Sequence, residues 1–237
     1  MCGNIGSGDV SGVTYTTAKE SRVRTQSGEI AELGNNPLVY TNSDMYLSSK
    51  ARAAIDDWEK KRSKSKIEYA YMVDENGFEI AENRGGRSSV STYLSDKLKS
   101  DTFTHIHPRG KGDEGYLGGT FSEQDIINFA NAANTAKYPN SKLRSYRAKA
   151  AEGTYWIAKA NNFDPNGLKD YVKQVFSEFE IAKAARKKEA GTLADTSWFK
   201  LKAKYTQIWN DEIVNVHNKL LAGQKKYGYT YGLERSI

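Results

Sequence analysis

The hydrophobic period of the chain changes at Asp164-Pro165-Asn166, and this change constrains the fold more than any other feature of the sequence. Before it, apolar residues alternate over short runs, as half-buried strands require. Ile67, Tyr69, Tyr71 and Val73 share one face of such a run, and Asp74-Glu75-Asn76-Gly77 then places an Asn-Gly turn ahead of a partner run, Phe78 to Glu82. Further extended runs cover 102–107, 143–150 and 154–160, the last two joined by a turn at Glu152-Gly153. After Pro165 the period is that of a helix. Leu168, Tyr171, Val172, Val175, Phe176 and Phe179 mark one helix. Trp198, Leu201, Tyr205, Ile208, Trp209, Ile213, Val216 and Leu220 mark a second. Gly191-Thr192 separates the two, so an antiparallel helical hairpin is expected.

Helices also interrupt the strands. One is expected to start after Ser43-Asp44, to carry Leu47, Ala51, Ala54, Ile55 and Trp58 at helical spacing, and to end in the lysine cluster that begins at Lys60. A short helix is expected within 90–99. Another opens at Ser122 and runs to about Lys137, burying Ile126, Ile127, Phe129 and either Ala130 or Ala133. This order predicts an α/β fold. Its central mixed β-sheet holds 67–73, 78–82, 102–107, 143–150 and 154–160, flanked by helices 43–62 and 122–137 and followed by a C-terminal helical hairpin. Three units are expected. Residues 1–42, rich in Gly, Ser, Thr and Asn, form a flexible polar arm; 43–163 form the α/β domain; 164–237 form the hairpin and a tail. Apolar stripes as wide as those of the hairpin need a cover, from the core or from a protein partner.

Hydrophobic residues make up 38 % of the chain, and no apolar run reaches the length of a membrane span. Met1-Cys2-Gly3-Asn4 has neither a basic start nor an apolar stretch, so no secretion signal is expected, and the expected compartment is the cytoplasm or the interior of a virus particle. A single cysteine, Cys2, excludes an intramolecular disulfide and a zinc site built from cysteine pairs. Its place after Met1 matches the start of class II glutamine amidotransferases, but nothing downstream supports that chemistry. The net charge of +6 permits contact with nucleic acid without supplying a motif for it. The basic clusters at 60–66 and 186–188 read as solvated helix ends.

The chain has three histidines, and two of them, His105 and His107, are one residue apart on an expected strand. Alternation puts both imidazoles on one side. Two imidazoles and one carboxylate form a common three-ligand set for zinc, with the fourth position left to water. Asp125 is the natural third ligand, because Ser122 caps the following helix and Asp125 falls in its first turn. Taken alone, a histidine pair on a strand reads first as buried, hydrogen-bonded side chains and only second as a metal site. His217 lies beside the apolar stripe of the last helix and has no partner in the sequence, so it reads as structural.

The whole pattern is more specific than the pair. Thr104-His105-Ile106-His107-Pro108, then a glycine-rich loop, then Phe121-Ser122-Glu123-Gln124-Asp125-Ile126 resembles the JAB/MPN (JAMM) metalloproteases, whose hallmark is H-x-H-P followed by S-x-x-D with a glutamate upstream. It looks most like the JAB-like domains of bacterial, phage-borne and polymorphic-toxin proteins, and it covers about residues 66–160. The resemblance implies a sheet layout like that of the cytidine deaminases. It implies zinc held by His105, His107 and Asp125, Glu68 as the base and Ser122 as a donor to the oxyanion. It also implies hydrolysis of a peptide or isopeptide bond, with a protein or peptide substrate that in this family is often ubiquitin-like. Glu68 shares its strand face with Ala70 and Met72, which suits a site, although a solvent-facing glutamate reads the same; Glu79 and Glu82 are fallbacks. The loop over 108–121 is longer than the family's usual one, and its Lys111, Asp113 and Glu114 add charge near the ligands. The rival expectation is a non-catalytic JAB-like module, virion-associated or of phage type, that uses the helical hairpin to bind a protein.

Overall fold

The computed structural model describes residues 22–24, 30–32, 38, 40, 47–108, 117–192 and 197–235. Cys2, the Ser43-Asp44 start expected for the first helix, and Lys111, Asp113 and Glu114 lie outside these residues. Within the expected arm, strands β1 (Arg22–Arg24) and β2 (Ile30–Glu32) pair antiparallel with Val23 opposite Ala31, where composition points to loops. Three-residue strands carry too little alternation to be read from sequence.

The fold is α/β, with a six-stranded mixed sheet flanked by helices. Its strands are β3 (Tyr69–Val73), β4 (Glu79–Arg84), β5 (Thr102–Ile106), β6 (Ser145–Lys149), β7 (Gly153–Lys159) and β8 (Tyr229–Arg235), in spatial order β4-β3-β5-β6-β7-β8. Only the β5–β6 pair is parallel. A parallel neighbour requires a crossover, and here the crossover contains α3 (Glu123–Ala132). The helix therefore starts just beyond the carboxyl end of β5, the place where open α/β sheets bind their ligands.

Register sorts the sheet into two faces. Ala70, His105, Ala148, Tyr155 and Leu233 stand side by side in one row across five strands. The next row, Tyr71, Thr104, Arg147, Trp156 and Gly232, faces the other way. The His105 face packs on α3, α4 (Pro165–Glu189) and α5 (Trp198–Tyr227) through one core that includes Phe129, Ile126, Val172, Leu168, Val216 and Leu220. Helix α1 (Ser49–Arg62) covers part of the opposite face with Ala51, Ile55 and Trp58 against Tyr71, Val73 and Ile106. A short α2 (Leu94–Lys99) precedes β5. Beneath α1, Arg147, 2 % exposed, pairs with buried Glu59, with Glu234 and with the half-exposed Asp56 carboxylate.

Local chemistry accounts for the boundaries. Ser48, not a residue near 43, caps α1, its Oγ accepting from the Ala51 N–H. Asp164 caps α4 through the Asn166 and Gly167 N–H groups, and Pro165 occupies the first turn. Along the hairpin, Glu178 pairs with Lys219 and Arg186 with Asp211, as two antiparallel helices require. Trp198, expected in the buried stripe, is instead 59 % exposed, because the first turn of α5 lies at the free end of the hairpin. Ile127 of α3 is only half-buried, while Ala130 and Ala133 are both buried.

The sequence pattern places the segment after α5 in a tail outside the sheet. In the structure it is the edge strand β8, paired with β7 from Gly153–Arg235 to Lys159–Tyr229. Gly228 makes this possible. It ends α5 in the left-handed region at φ 63°, and a Cβ there would lie 2.1 Å from the Asn162 carbonyl oxygen.

Candidate metal centre

His105 is 2 % exposed on the face of β5 that looks toward α3 and α5. Its register neighbours on both sides are alanines, Ala70 and Ala148, which leave room for the ring. Phe103 and Phe121 flank it, with ring centroids at 5.5 and 6.3 Å. His107 follows the last residue of β5, and its N–H donates to Lys149 O at 2.8 Å, so the extended path continues and both imidazoles emerge on the same face.

The third group comes from the start of α3. Ser122 and Asp125 form a reciprocal cap: Ser122 Oγ accepts from the Asp125 N–H, and Asp125 Oδ2 accepts from the Ser122 N–H at 2.9 Å. This geometry turns Oδ2 back toward β5. It lies 3.5 Å from His105 Nε2 and 3.8 Å from His107 Nε2, and the two Nε2 atoms are 2.9 Å apart. A tetrahedral zinc with bonds of roughly 2.0–2.2 Å sets its ligand atoms roughly 3.3–3.6 Å apart. The three donors are therefore within a few tenths of an ångström of that arrangement, and two imidazoles with one carboxylate fit the chemistry of the ion. They are the group of histidine and carboxylate ligands that converges in this way among the described residues.

Hydrogen bonding sets the form of His107. Its Nδ1–H donates to the Gly119 carbonyl at 3.2 Å, which in the neutral ring leaves the Nε2 lone pair directed at His105 and Asp125. His105 is held differently. Its Nδ1 is buried without a hydrogen-bond partner among the described residues, and ring packing fixes its plane.

The electrostatics follow from this crowding. Burial alone would raise the Asp125 carboxyl, but the adjacent His105 and His107 outweigh it and hold the group well below the usual carboxylate range. Burial pulls His107 down, and the carboxylates of Asp125 and Glu68 with the Gly119 carbonyl more than reverse that. Glu68 is half-buried, and its carboxyl is raised, first by burial and further by Asp125, against the pull of the two histidines.

Glu68 precedes β3 by one residue, yet it extends the ladder. Its N–H donates to Gly86 O and its carbonyl accepts from the Gly85 N–H. Ala70 faces His105 in the antiparallel β3–β5 register, so two residues back along β3 brings Glu68 opposite His107. The fallback glutamates are on the wrong face. Glu82 is in register with Tyr71 and takes hydrogen bonds from Trp58 and Arg62. Glu79 is in register with Val73, on the α1 side. Ser122 is exposed, and its hydroxyl donates to Asp125 Oδ2 at 2.6 Å. His217 is fully buried with Nδ1 3.0 Å from the Tyr231 hydroxyl, far from a ligand role.

Sequence reasoning does not single out Gly119, which reads as one glycine of a loop. Its φ of 92° aims its carbonyl at His107, and no signal short of the folded chain marks which glycine does so. No described helix is long and apolar enough to cross a membrane. The chain matches no protein-family model, no curated protein and no solved structure.

Proposed function

We propose that this protein is a zinc-dependent hydrolase of the JAB/MPN type that cleaves a peptide or isopeptide bond. The observation that carries the reading is the convergence of His105 Nε2, His107 Nε2 and Asp125 Oδ2 with a half-buried Glu68 in register with His107. When bound there, zinc supplies a Lewis acid and makes a water acidic enough to ionise near neutral pH. His105, His107 and Asp125 hold the ion. Glu68, with its carboxyl raised by burial, accepts the proton of the attacking water and delivers it to the leaving amine. Ser122, exposed beside Asp125, turns its hydroxyl from that carboxylate to the developing oxyanion. The substrate is a protein or peptide conjugate, of the ubiquitin-like kind that the sequence resemblance implies.

The test is metal analysis joined to a cleavage assay on peptide and isopeptide conjugates. Wild-type protein is expected to carry about one zinc per chain, and the His105→Ala/His107→Ala double variant none, since one remaining protein ligand does not hold the ion. Glu68→Gln should keep the metal and lose hydrolysis, because the amide matches the shape of the carboxylate but takes no proton. Zinc bound at this site with no cleavage of any conjugate would leave the ion a structural staple. The chain would then be the non-catalytic binding module.

A further inference from the structure

Glu152 is 2 % exposed in the turn between β6 and β7, and it has no ion-pair partner among the described residues. A buried carboxylate without a cation is costly, so its hydrogen bonds indicate what holds it there. Oε2 accepts from the Gly118 N–H at 2.7 Å. Oε1 accepts from the Gly119 N–H at 3.2 Å and from the Tyr155 hydroxyl at 2.7 Å. Two of its three donors are thus consecutive amides of the loop that leads into α3. The approach is close: a Cβ on Gly118 would lie 2.8 Å from Ala151 N and 3.2 Å from Glu152 Oε2. The residue whose amide Glu152 holds, Gly119, is the one whose carbonyl accepts the His107 Nδ1–H.

The residues on either side of these two glycines, Leu117 and Thr120, are pinned as well. Leu117 N–H donates to Asn210 Oδ1, and Leu117 O accepts from Trp209 Nε1, both from α5. Thr120 Oγ1 meets the Tyr231 hydroxyl of β8 at 2.9 Å. Between these anchors the orientation of the 118–119 backbone rests on Glu152.

We propose that Glu152 is a positioning residue for the metal centre: it clamps the Gly118 and Gly119 amides so that the Gly119 carbonyl holds His107 as the Nδ1–H tautomer with Nε2 open to the ion. This rests on reading His105, His107 and Asp125 as ligands. Glu152 acts through Gly119 and touches neither ion nor substrate. Partners one step removed from a ligand set its tautomer and typically change metal affinity by about 10- to 100-fold when lost. Glutamine at 152 keeps the shape of the side chain, but it turns an amide donor on one of the loop N–H groups.

The experiment has two readouts on the full chain. Nitrogen-15 NMR of the chelator-treated protein at alkaline pH, where imidazoles are neutral, reports the His107 tautomer without any ion. Zinc titration then reports affinity. Wild type should show Nδ1–H at His107. Glu152→Gln should show a mixture with Nε2–H and bind zinc about 10- to 100-fold more weakly. If that variant does not fold, Gly118→Ala lifts the same amide from an intact Glu152 and should give the same shift. Tyr155→Phe removes the third donor without touching the loop and should leave the tautomer unchanged. An unchanged tautomer and affinity in folded Glu152→Gln or Gly118→Ala would overturn the proposal. A wild-type protein with the Nδ1–H tautomer but no zinc binding would overturn the ligand reading, and with it the positioning role of Glu152.

Discussion

The Ser122 hydroxyl donates to Asp125 Oδ2 at 2.6 Å, and that same oxygen faces both histidines. One serine thus serves as helix cap and as neighbour of the carboxylate that faces the histidines. Ser122→Ala separates the two roles. Loss of the cap should lower stability by about 1 kcal/mol. Loss of an oxyanion donor should lower turnover about a hundredfold or more. Melting and turnover measured on one preparation read both, and a variant that loses stability alone would confine Ser122 to capping.

His107 gives the metal-free protein a distinct pH dependence. Its folded-state pKa is raised, so its protonated form contributes stability fully present below the unfolded value of about 6.5. That contribution is lost as pH rises through the folded pKa. Chelator-treated wild type should therefore lose stability relative to His107→Gln above about pH 6.5. Zinc affinity should rise over the same interval, because the ion and the proton compete for Nε2. Denaturant unfolding and zinc titration across pH check the two halves.

On the opposite face, Glu59 is the central anion for buried Arg147. Its Oε1 accepts from Arg147 Nε at 3.0 Å and from Thr104 Oγ1 at 2.8 Å. Burial alone would raise Glu59, but Arg147 outweighs it and the pKa falls. The contribution is therefore present above the unfolded value of about 4.3 and is lost as pH falls through the folded value. Glu59→Gln should destabilise by about 3 kcal/mol at neutral pH, as expected when one partner of a buried pair is removed. The gap between variant and wild type should narrow in acid, as urea unfolding at a series of pH values would record.

Gly228→Ala tests the join between α5 and β8. The left-handed conformation alone costs a side chain about 1–2 kcal/mol, and the Cβ would also meet the Asn162 carbonyl. Amide exchange should quicken selectively in Tyr229–Arg235 and in the β7 amides that face them. Uniform exchange across the sheet would mean that the strand does not depend on this turn.

How much of the fold and the site is legible in the sequence depends on how local each cause is. The strands around Tyr71, His105 and Tyr155 are readable because alternation is written in consecutive residues. Ser122 and Asp125 are readable because a cap spans one turn. The strand β8 leaves a weaker trace, Tyr229, Tyr231 and Leu233 alternating behind Gly228, because the run is short and directly follows a long helical period. The start of α1 turns on a choice between nearby serines, and the one whose Oγ reaches the Ala51 N–H prevails. Glu152 is unreadable as anything but a turn residue, since its loop partners are 33 and 34 positions away and meet it only once β6 and β7 pair.

Strand order also governs when the site becomes complete during synthesis. His105, His107 and Asp125 leave the ribosome early, within one strand–loop–helix unit. The Tyr231 hydroxyl that meets Thr120 and His217, and the Asn210 and Trp209 side chains that hold Leu117, come later in the chain. A nascent chain halted before α5 and β8 thus already has its histidines and aspartate but lacks the clasps that seat the loop beside them. The contacts that seat Leu117 and Thr120 beside His107 therefore form only in a chain extended through Tyr231.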